Sequence, residues 1–153
     1  KHQPCDRIVT AFSFTDSHSH AKLEHGVPAI AKRIESMRQL VDAGWTVGLR
    51  LDPLVYHQHY QRDFSALLQQ IFARVEPAAI HSVSLGNFRL SKSHFRKMSQ
   101  LYPQEPLFAQ NLALNNGIIS YPEAQEEEMI GYCENELMKY ISPEIYHPCE
   151  WHD

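Results

Sequence analysis

The sequence predicts an α/β protein whose parallel sheet is built from three successive strand–helix units, as in half of an enzyme barrel. Short apolar runs of strand length alternate with segments whose apolar residues recur at helical spacing. Each apolar run also leads into polar residues, as strands of parallel α/β sheets do where they meet a ligand. Such strands are joined by right-handed crossovers, and helices normally cover the sheet.

The first unit is a strand followed by a helix. Residues 8–14 are apolar and β-prone, and the polar run 15–18 follows them. Pro28 suits the first turn of a helix, and Gly44 stands where a helix usually stops. Between them, apolar residues recur on one helical face, which predicts an amphipathic helix. These residues are Ile30, Ile34, Met37, Leu40 and Val41.

The second and third units repeat this order. Residues 45–51 predict a second strand that is closed at Asp52, and residues 80–85 predict a third strand with a turn at Gly86. Ser91 is the expected N-cap of the third helix. The inward residues are Phe64, Leu67, Leu68, Ile71, Phe72 and Val75 in the second helix, and Phe95, Met98 and Leu101 in the third, which Pro103 ends.

The pattern changes after Pro103, so the single unit 1–153 is divided into a strand–helix part, about 7–104, and a C-terminal extension, about 105–153. Asn116-Gly117 is a strong turn signal before the short strand 118–121, which predicts a hairpin or an irregular loop. The acidic run 123–128 suits the start of a helix. Its buried stripe is Ile130, Cys133, Leu137 and Ile141, and residues 145–149 are the expected last strand.

Composition narrows the classes of protein. The chain has 153 residues, a net charge of -4 and three widely spaced cysteines, so neither a disulfide framework nor a zinc ribbon is predicted. Reduced thiols fit a cytoplasmic protein. No apolar run reaches the roughly 20 residues of a membrane span, and no signal-peptide pattern begins the chain. Because the first residue is not Met, we expect the chain to be cut from a longer protein.

Polar residues at the strand ends are the candidate ligand-binding residues, because loops and helix N-termini converge at that edge of a parallel sheet. Arg50 interrupts an otherwise apolar strand, and an unpaired buried guanidinium is costly, so Asp16, Glu24, Asp52 or a ligand is expected to meet it. The candidates are Ser13, Thr15 and Asp16 after the first strand, Arg50 and Asp52 at the second, and Ser84, Asn87 and Arg89 at the third.

Two further pairs of residues each have two possible roles. Glu24 and Arg33 flank the loop before the first helix, where they either clamp a polar ligand or fix the loop. Tyr56 and His57 follow the second strand, where they either contact substrate or cap and pack the next helix. Cys133 lies on a buried stripe and is expected to be inert, whereas Cys149 is expected to be exposed.

Asp16, His18 and His20 form an Asp-x-His-x-His run after a strand, which resembles the start of metal-dependent barrel hydrolases of the TatD and amidohydrolase kinds. Solvated loop histidines are the alternative. A second alternative function, a non-catalytic nucleic-acid-binding module, rests on a basic cluster that is otherwise an ordinary solvated helix face. That cluster is Arg89, Lys92, His94, Arg96 and Lys97.

An ordered set of segments resembles the radical S-adenosylmethionine enzymes of the spore photoproduct lyase type, also described as DNA repair photolyase-like, over their C-terminal half. The resemblance covers about residues 8–121. It implies the C-terminal half of a partial, open TIM-like α/β barrel with a C-terminal hairpin and helix extension. The segments are 11–14, 24–28 with 33–35, 43–45 with 48–57, 82–89, 101–103 and 117–121.

The resemblance also implies roles for particular residues. Ser13 matches a position whose side chain contacts the cofactor, and Asp52 one whose backbone meets the adenosine, while Glu24 and Arg33 match framework residues of the loop. Together with Arg50, these are the predicted cofactor-binding residues. The predicted substrate-binding residues are Tyr56, His57, Ser84, Asn87, Arg89 and Tyr121.

The family holds a [4Fe-4S] cluster with a Cys-x-x-x-Cys-x-x-Cys run and cleaves S-adenosylmethionine reductively. No such run is present in this sequence. The resemblance places the run in the N-terminal half, the expected partner, so this chain alone is expected to be silent. The segment 116–121 is less rich in basic and aromatic residues than the resemblance implies for a hairpin that inserts toward DNA, which leaves DNA as a partner open. Unpaired strand edges predict self-association.

Overall fold

The computed structural model describes residues 3–5, 7–24 and 26–149, except for the side chain of Leu23. His25, part of the resemblance, lies outside the described residues. None of the described helices is long and apolar enough to cross a membrane. The elements in chain order are β1 Val9–Phe14, α1 Ser17–Leu23, α2 Ile30–Asp42, β2 Thr46–Leu54, α3 Tyr60–Phe72, β3 Ile80–Asn87, β4 Leu90–Ser91, α4 Lys92–Leu101, β5 Ala113–Asn115, β6 Ile118–Ser120 and α5 Glu123–Leu137.

The main sheet is parallel, with the strand order β1-β2-β3. The predicted last strand, 145–149, does not form as a strand, because Pro143–Ile145 is a short 3-10 helix. The segment after it bridges to β3: the backbone N–H of His147 donates to the carbonyl of Val83 at 2.8 Å, and that of Cys149 to the carbonyl of Leu85 at 3.2 Å. The α/β class and the parallel sheet are therefore confirmed, while the half barrel stays a prediction.

One face of the sheet forms the hydrophobic core together with α2, α3 and α5. Alternate residues of β2 point into it, as the period of two in a strand requires. Cys133 is 1% exposed, so its prediction as a buried core residue is confirmed. Burial raises the pKa of its thiol and keeps it protonated. Other residues that are 0% exposed are Met37, Val47, Leu51, Leu68, Ile71 and Leu137.

The local predictions for residues 17–23, for the ends of β2 and β3, and for α4 were wrong. Residues 17–23 form a helix rather than a loop, because Asp16 caps it by accepting the backbone N–H of Ser19 at 3.0 Å. Strand β2 continues to Leu54 through a cis peptide between Asp52 and Pro53, and β3 continues to Asn87. Met98 and Leu101 are 37% and 69% exposed, so of the predicted inward residues of α4 only Phe95 is partly buried.

The C-terminal part carries the predicted hairpin. Strands β5 and β6 are antiparallel, and Asn116 and Gly117 between them have positive φ angles of 49° and 80°. Strand β4 pairs with β6, so the second sheet has the order β4-β6-β5. The backbone N–H of Lys92 donates to the carbonyl of Gly117 at 2.8 Å, which ties the start of α4 to the hairpin turn.

Candidate functional site

The face of the main sheet that does not pack on helices carries the candidate site, and we call it the open face. It bounds a cavity of about 420 Å³ together with residues 147–149. Its residues are Val9, Ala11 and Ser13 of β1, Gly48, Arg50 and Asp52 of β2, and Ser82, Ser84 and Gly86 of β3.

Three predicted binding residues form one row across the open face. In the strand register, Ser13 lies opposite Arg50, and Arg50 lies opposite Ser84. Arg50 is exposed and forms no hydrogen bond or salt bridge with any residue that the structure describes. Of the predicted partners of Arg50, no carboxylate forms a salt bridge with it among the described residues, so a ligand stays the predicted partner. The row thus combines the hydroxyl groups of Ser13 and Ser84 with the Arg50 guanidinium, which is available to bind an anionic group.

Asp52 lies two residues beyond Arg50 on the same face. Solvent reaches its side chain, yet partial burial against the sheet raises the pKa of the carboxyl, and the nearby Arg50 charge acts in the opposite direction. Gly86 makes this position possible: a Cβ on Gly86 would lie 3.0 Å from Cγ of Asp52. The absence of a side chain at residue 86 lets the Asp52 carboxyl lie against β3.

A cluster of charged side chains anchors the end of β1. Arg33 donates to the backbone carbonyl of Ser13 at 2.7 Å and to Oε2 of Glu24 at 2.7 Å. Glu24 also pairs with His20, and the Arg33 guanidinium lies 5.2 Å from the centre of the Phe14 ring. Glu24 and Arg33 thus hold the backbone at Ser13 in place, the role of framework residues.

A second cluster lies behind the ends of β1 and β2. Nε2 of His57 is 3.2 Å from Oδ1 of Asp16, and the rings of His18 and His57 stack with their centres 4.3 Å apart. Burial lowers the pKa of His57, although the Asp16 charge raises it. His57 is only 10% exposed at its side chain. Tertiary contacts therefore place His57 against Asp16.

The hydrolase-type metal site is not assembled. Asp16 caps α1, while His20 is engaged by Glu24 and Arg33. Among the described residues, the side chains whose potential metal-binding atoms lie within 4.8 Å of one another are those of Asp16, His57 and Asp63. The alternative set of Asp16, His18 and His20 is therefore not brought together here, because α1 turns its histidines to different neighbours.

Tyr121, which is predicted to bind substrate, lies buried beside the loop after β2. The side chain is 1% exposed, and its hydroxyl accepts the backbone N–H of Tyr56 at 3.0 Å. Burial raises its pKa to about 12. Gln110 donates to the carbonyl of Tyr56 at 3.2 Å. Tyr121 thus helps to fix the loop after β2, and its contact with substrate stays a prediction.

The remaining predicted binding residues lie at the end of β3. Asn87 is partly exposed, yet its Oδ1 is buried without a hydrogen-bond partner in the described structure. Arg89 is 31% exposed at its side chain and lies 3.5 Å from Oε2 of Glu126 on α5. Arg89 is thus tied to α5, away from the row formed by Ser13, Arg50 and Ser84.

The basic cluster forms a separate cleft between α4 and the hairpin turn, which we call the basic cleft. Its volume is about 700 Å³, and Lys92, Arg96 and Lys97 line it without an acidic residue. None of these three cations forms a salt bridge with a described residue. Arg89, which was predicted to act with them, does not line the cleft.

The three cysteines do not form a cluster site. Cys5 is partly exposed, Cys133 is buried and Cys149 is exposed, as predicted for the last two. Within the part of the chain that the structure describes, no group of ligands that meets contains a cysteine. These residues therefore do not fit an iron–sulfur cluster. The open face, with hydroxyl groups, both charge signs and two glycines, does fit a polar zwitterionic ligand of nucleoside size.

Two comparisons with known proteins found similarity to spore photoproduct lyases. The spore photoproduct lyase family model matches residues 1–117. Among solved structures, a double variant of spore photoproduct lyase with bound AdoMet and dinucleoside spore photoproduct has a TM-score of 0.79 and 18% identity, covering 94% of this chain and 44% of that one. A spore photoproduct lyase complexed with dinucleoside spore photoproduct has a TM-score of 0.76 and 18% identity, covering 92% and 44%.

The chain spans under half the length of these structures, and at this identity they show the fold alone. No curated protein matched the sequence. The family model covers well over half of the 153 residues, in agreement with the resemblance found in the sequence. The chain therefore belongs to the spore photoproduct lyase family.

Proposed function

We propose that the open face is part of the S-adenosylmethionine-binding wall of a radical S-adenosylmethionine lyase. The observation that carries the proposal is the row of Ser13, Arg50 and Ser84, which lies beside the cavity in a chain of this family. A solved spore photoproduct lyase with bound AdoMet has the same fold over this chain, which supports it further.

The residues of the open face complement the polar groups of the cofactor. The guanidinium of Arg50 would pair with the carboxylate of S-adenosylmethionine, a charge-assisted contact for which the exposed cation is free. The hydroxyls of Ser13 and Ser84 would bond polar groups beside it. The cofactor itself supplies the hydrogen-abstracting chemistry of the family. Arg33 and Glu24 would keep Ser13 in register by holding its carbonyl.

The rest of the machinery would come from another part of the protein. The described cysteines do not fit an iron–sulfur cluster, so we propose that a separate N-terminal region supplies the cluster ligands and pairs with this chain. In that arrangement the chain alone has no catalytic activity. The free edge of β1, where Ile8 and Val9 are 52% and 42% exposed, is the edge at which further strands would add.

Cofactor affinity tests the proposal directly. In the protein that contains both regions, we expect Arg50→Ala to weaken S-adenosylmethionine binding by about 10-fold or more, as loss of a hydrogen bond to a charged group does. Ser13→Ala should weaken it by about 3- to 10-fold. Isothermal titration calorimetry under anaerobic conditions measures both.

Matched controls separate the open face from general effects. Arg74 is an exposed arginine paired with Glu35, and Ser36 is an exposed serine of α2 that bonds the backbone. Arg74→Ala and Ser36→Ala should leave the affinity unchanged. If Arg50→Ala and Ser13→Ala bind the cofactor as tightly as these controls do, the proposed wall is wrong.

We also propose that the complete protein acts on a DNA photoproduct and holds flanking phosphates in the basic cleft. The absence of acidic residues from a cleft with three unpaired cations supports this partner. The triple change of Lys92, Arg96 and Lys97 to Gln should reduce the salt dependence of DNA binding by about one unit of slope per charge. An unchanged slope in fluorescence anisotropy would contradict it.

A further inference from the structure

The strongest unassigned feature is the cluster of Asp16, His57 and Asp63 behind the ends of β1 and β2. One ligand atom from each side chain lies within 4.8 Å of the other two. The three come from separate segments, the N-cap of α1, the loop after β2 and the first turn of α3. Their side chains are only 9%, 10% and 11% exposed. We propose that Asp16, His57 and Asp63 bind one divalent transition-metal ion.

The charge of the cluster favours a cation. The two nearly buried carboxyl groups of Asp16 and Asp63 lie close to each other and to His57, and burying such groups without a full counter-charge is costly. Arg62 pairs with Asp63 at 2.8 Å but not with Asp16, and its side chain is 70% exposed, so solvent screens its charge. Asp16 has no arginine or lysine partner among the described residues. A divalent ion would neutralise both carboxylates at once.

The ligand chemistry selects the class of metal. One imidazole nitrogen with two carboxylate oxygens suits zinc, manganese and related transition metals, whereas calcium and magnesium prefer oxygen ligands throughout. A cavity of about 30 Å³, lined in part by His18 and His57, lies beside the cluster. Its volume is sufficient for a water molecule, which would complete the coordination.

Neighbouring groups already orient two of the ligands. Ser19 holds Asp16 through its backbone N–H and through its hydroxyl, which donates to Oδ2 at 2.8 Å. The backbone N–H of His59 donates to Nδ1 of His57 at 3.3 Å, which leaves the ring proton on Nε2. Ligation through Nε2 moves that proton to Nδ1 and gives up the His59 bond. At this length the bond is weak, so its loss costs little.

This site is independent of the open face. It uses none of Ser13, Arg50, Asp52 or Ser84, and it differs from the Asp16, His18 and His20 set that the sequence indicated. The ion would tie the end of β1 to α3 and to the loop that carries Tyr56. Its role is therefore structural, and failure of this site would leave the proposed cofactor wall untouched.

Metal titration tests the site. The metal-free 153-residue chain is titrated with Zn²⁺ and, separately, with Mn²⁺ by calorimetry. We expect one ion per chain, with an affinity at least 10-fold weaker in Asp63→Asn and in His57→Gln. The asparagine keeps the shape of Asp63, so it separates ligand loss from misfolding, and circular dichroism checks the fold. His59→Gln and Asp42→Asn, which change exposed groups of the same kinds, should bind as the wild type does.

Two results would overturn the site. The first is no stoichiometric binding of either ion to the wild-type chain. The second is equal affinity in the wild type and in Asp63→Asn, because binding would then take place at scattered surface histidines. A second readout is the melting temperature, which should rise with Zn²⁺ or Mn²⁺ in the wild type and in His59→Gln but not in Asp63→Asn.

Discussion

The two faces of the main sheet use the same three strands for opposite purposes. Along β2, Val47, Leu49 and Leu51 are at most 1% exposed and pack on the helices. Arg50 and Asp52, between and after them, are exposed on the open face. Because successive strand residues point to opposite faces, one short sequence encodes both a core and a polar surface.

The difference shows where a binding surface is to be expected. Parallel sheets normally have both faces covered, and a face with charges, serines and glycines contributes little to a core. We therefore expect a ligand or another part of the protein to cover this face. In a spore photoproduct lyase family chain, both are consistent with the proposed cofactor wall.

The largest expected contrast is in stability. Leu49→Ala removes a side chain from the packed face and should lower the free energy of unfolding by about 2–5 kcal/mol. Arg50→Ala, one residue away on the open face, should change it by less than about 0.5 kcal/mol, as surface substitutions do. Urea denaturation followed by circular dichroism measures both. Equal destabilisation would contradict the assignment of the two faces.

The anchor of β1 should have a smaller effect. Arg33→Ala removes the donor to the Ser13 carbonyl and leaves Glu24 with His20 as its partner. The free energy of unfolding should fall by about 1–3 kcal/mol, since partly buried polar groups lose a charged partner. Arg38→Ala, which removes a more exposed arginine of the same helix, is the control and should cost about 1 kcal/mol or less.

Gly86→Ala should separate binding from stability. The new Cβ would lie 3.0 Å from Cγ of Asp52, so the carboxyl has to move away from β3. Since solvent surrounds that carboxyl on the open side, the free energy of unfolding should fall by about 1 kcal/mol or less, at the low end for overpacking. The affinity for S-adenosylmethionine should fall, because the displaced Asp52 carboxyl changes the shape of the open face. Gly131→Ala, where a Cβ meets nothing within 4 Å, is the control.

The smallest effect is the pH dependence that Asp52 contributes. The pKa of the Asp52 carboxyl is raised in the folded protein above the unfolded value of 3.8. Between the unfolded pKa and the higher folded pKa, the folded state therefore binds the proton more strongly than the unfolded state does. Stability contributed by Asp52 is therefore lost as pH rises through that window. The free energy of unfolding of the wild type, relative to Asp52→Asn, should fall from pH 3.5 upward to a plateau. If the stability of the wild type relative to Asp52→Asn rose with pH instead, the pKa of Asp52 would be lowered by folding, not raised.

The sequence predicted the elements whose signals are local. The apolar runs located β1, β2 and β3, and the Asn116-Gly117 pair located the hairpin, because its positive φ angles favour these two residues. Helix α1 was missed because the polar stretch after β1 has no apolar stripe. Its start depends on one side chain, Asp16, acting as a cap.

The candidate site was predicted in part, for the same reason. Ser13, Arg50 and Ser84 follow from strand positions, and the register brings them into one row. The burial of Tyr121 could not be predicted, because the hydrogen bond between its hydroxyl and Tyr56 joins residues that are 65 positions apart in the chain. The approach of His57 and Asp63 to Asp16 depends equally on tertiary structure, and spacing in the sequence carries no signal for it.

The central claim is that the open face contacts the cofactor, and photolabelling tests it most directly. The protein that contains this chain and the cluster-binding region is irradiated with S-adenosylmethionine labelled in its methyl group and then digested for mass spectrometry. We predict label in the peptides that carry residues 9–14, 46–54 or 80–87, and loss of that label in Arg50→Ala. Label confined to α4 and the hairpin, or none within this chain, would contradict the account.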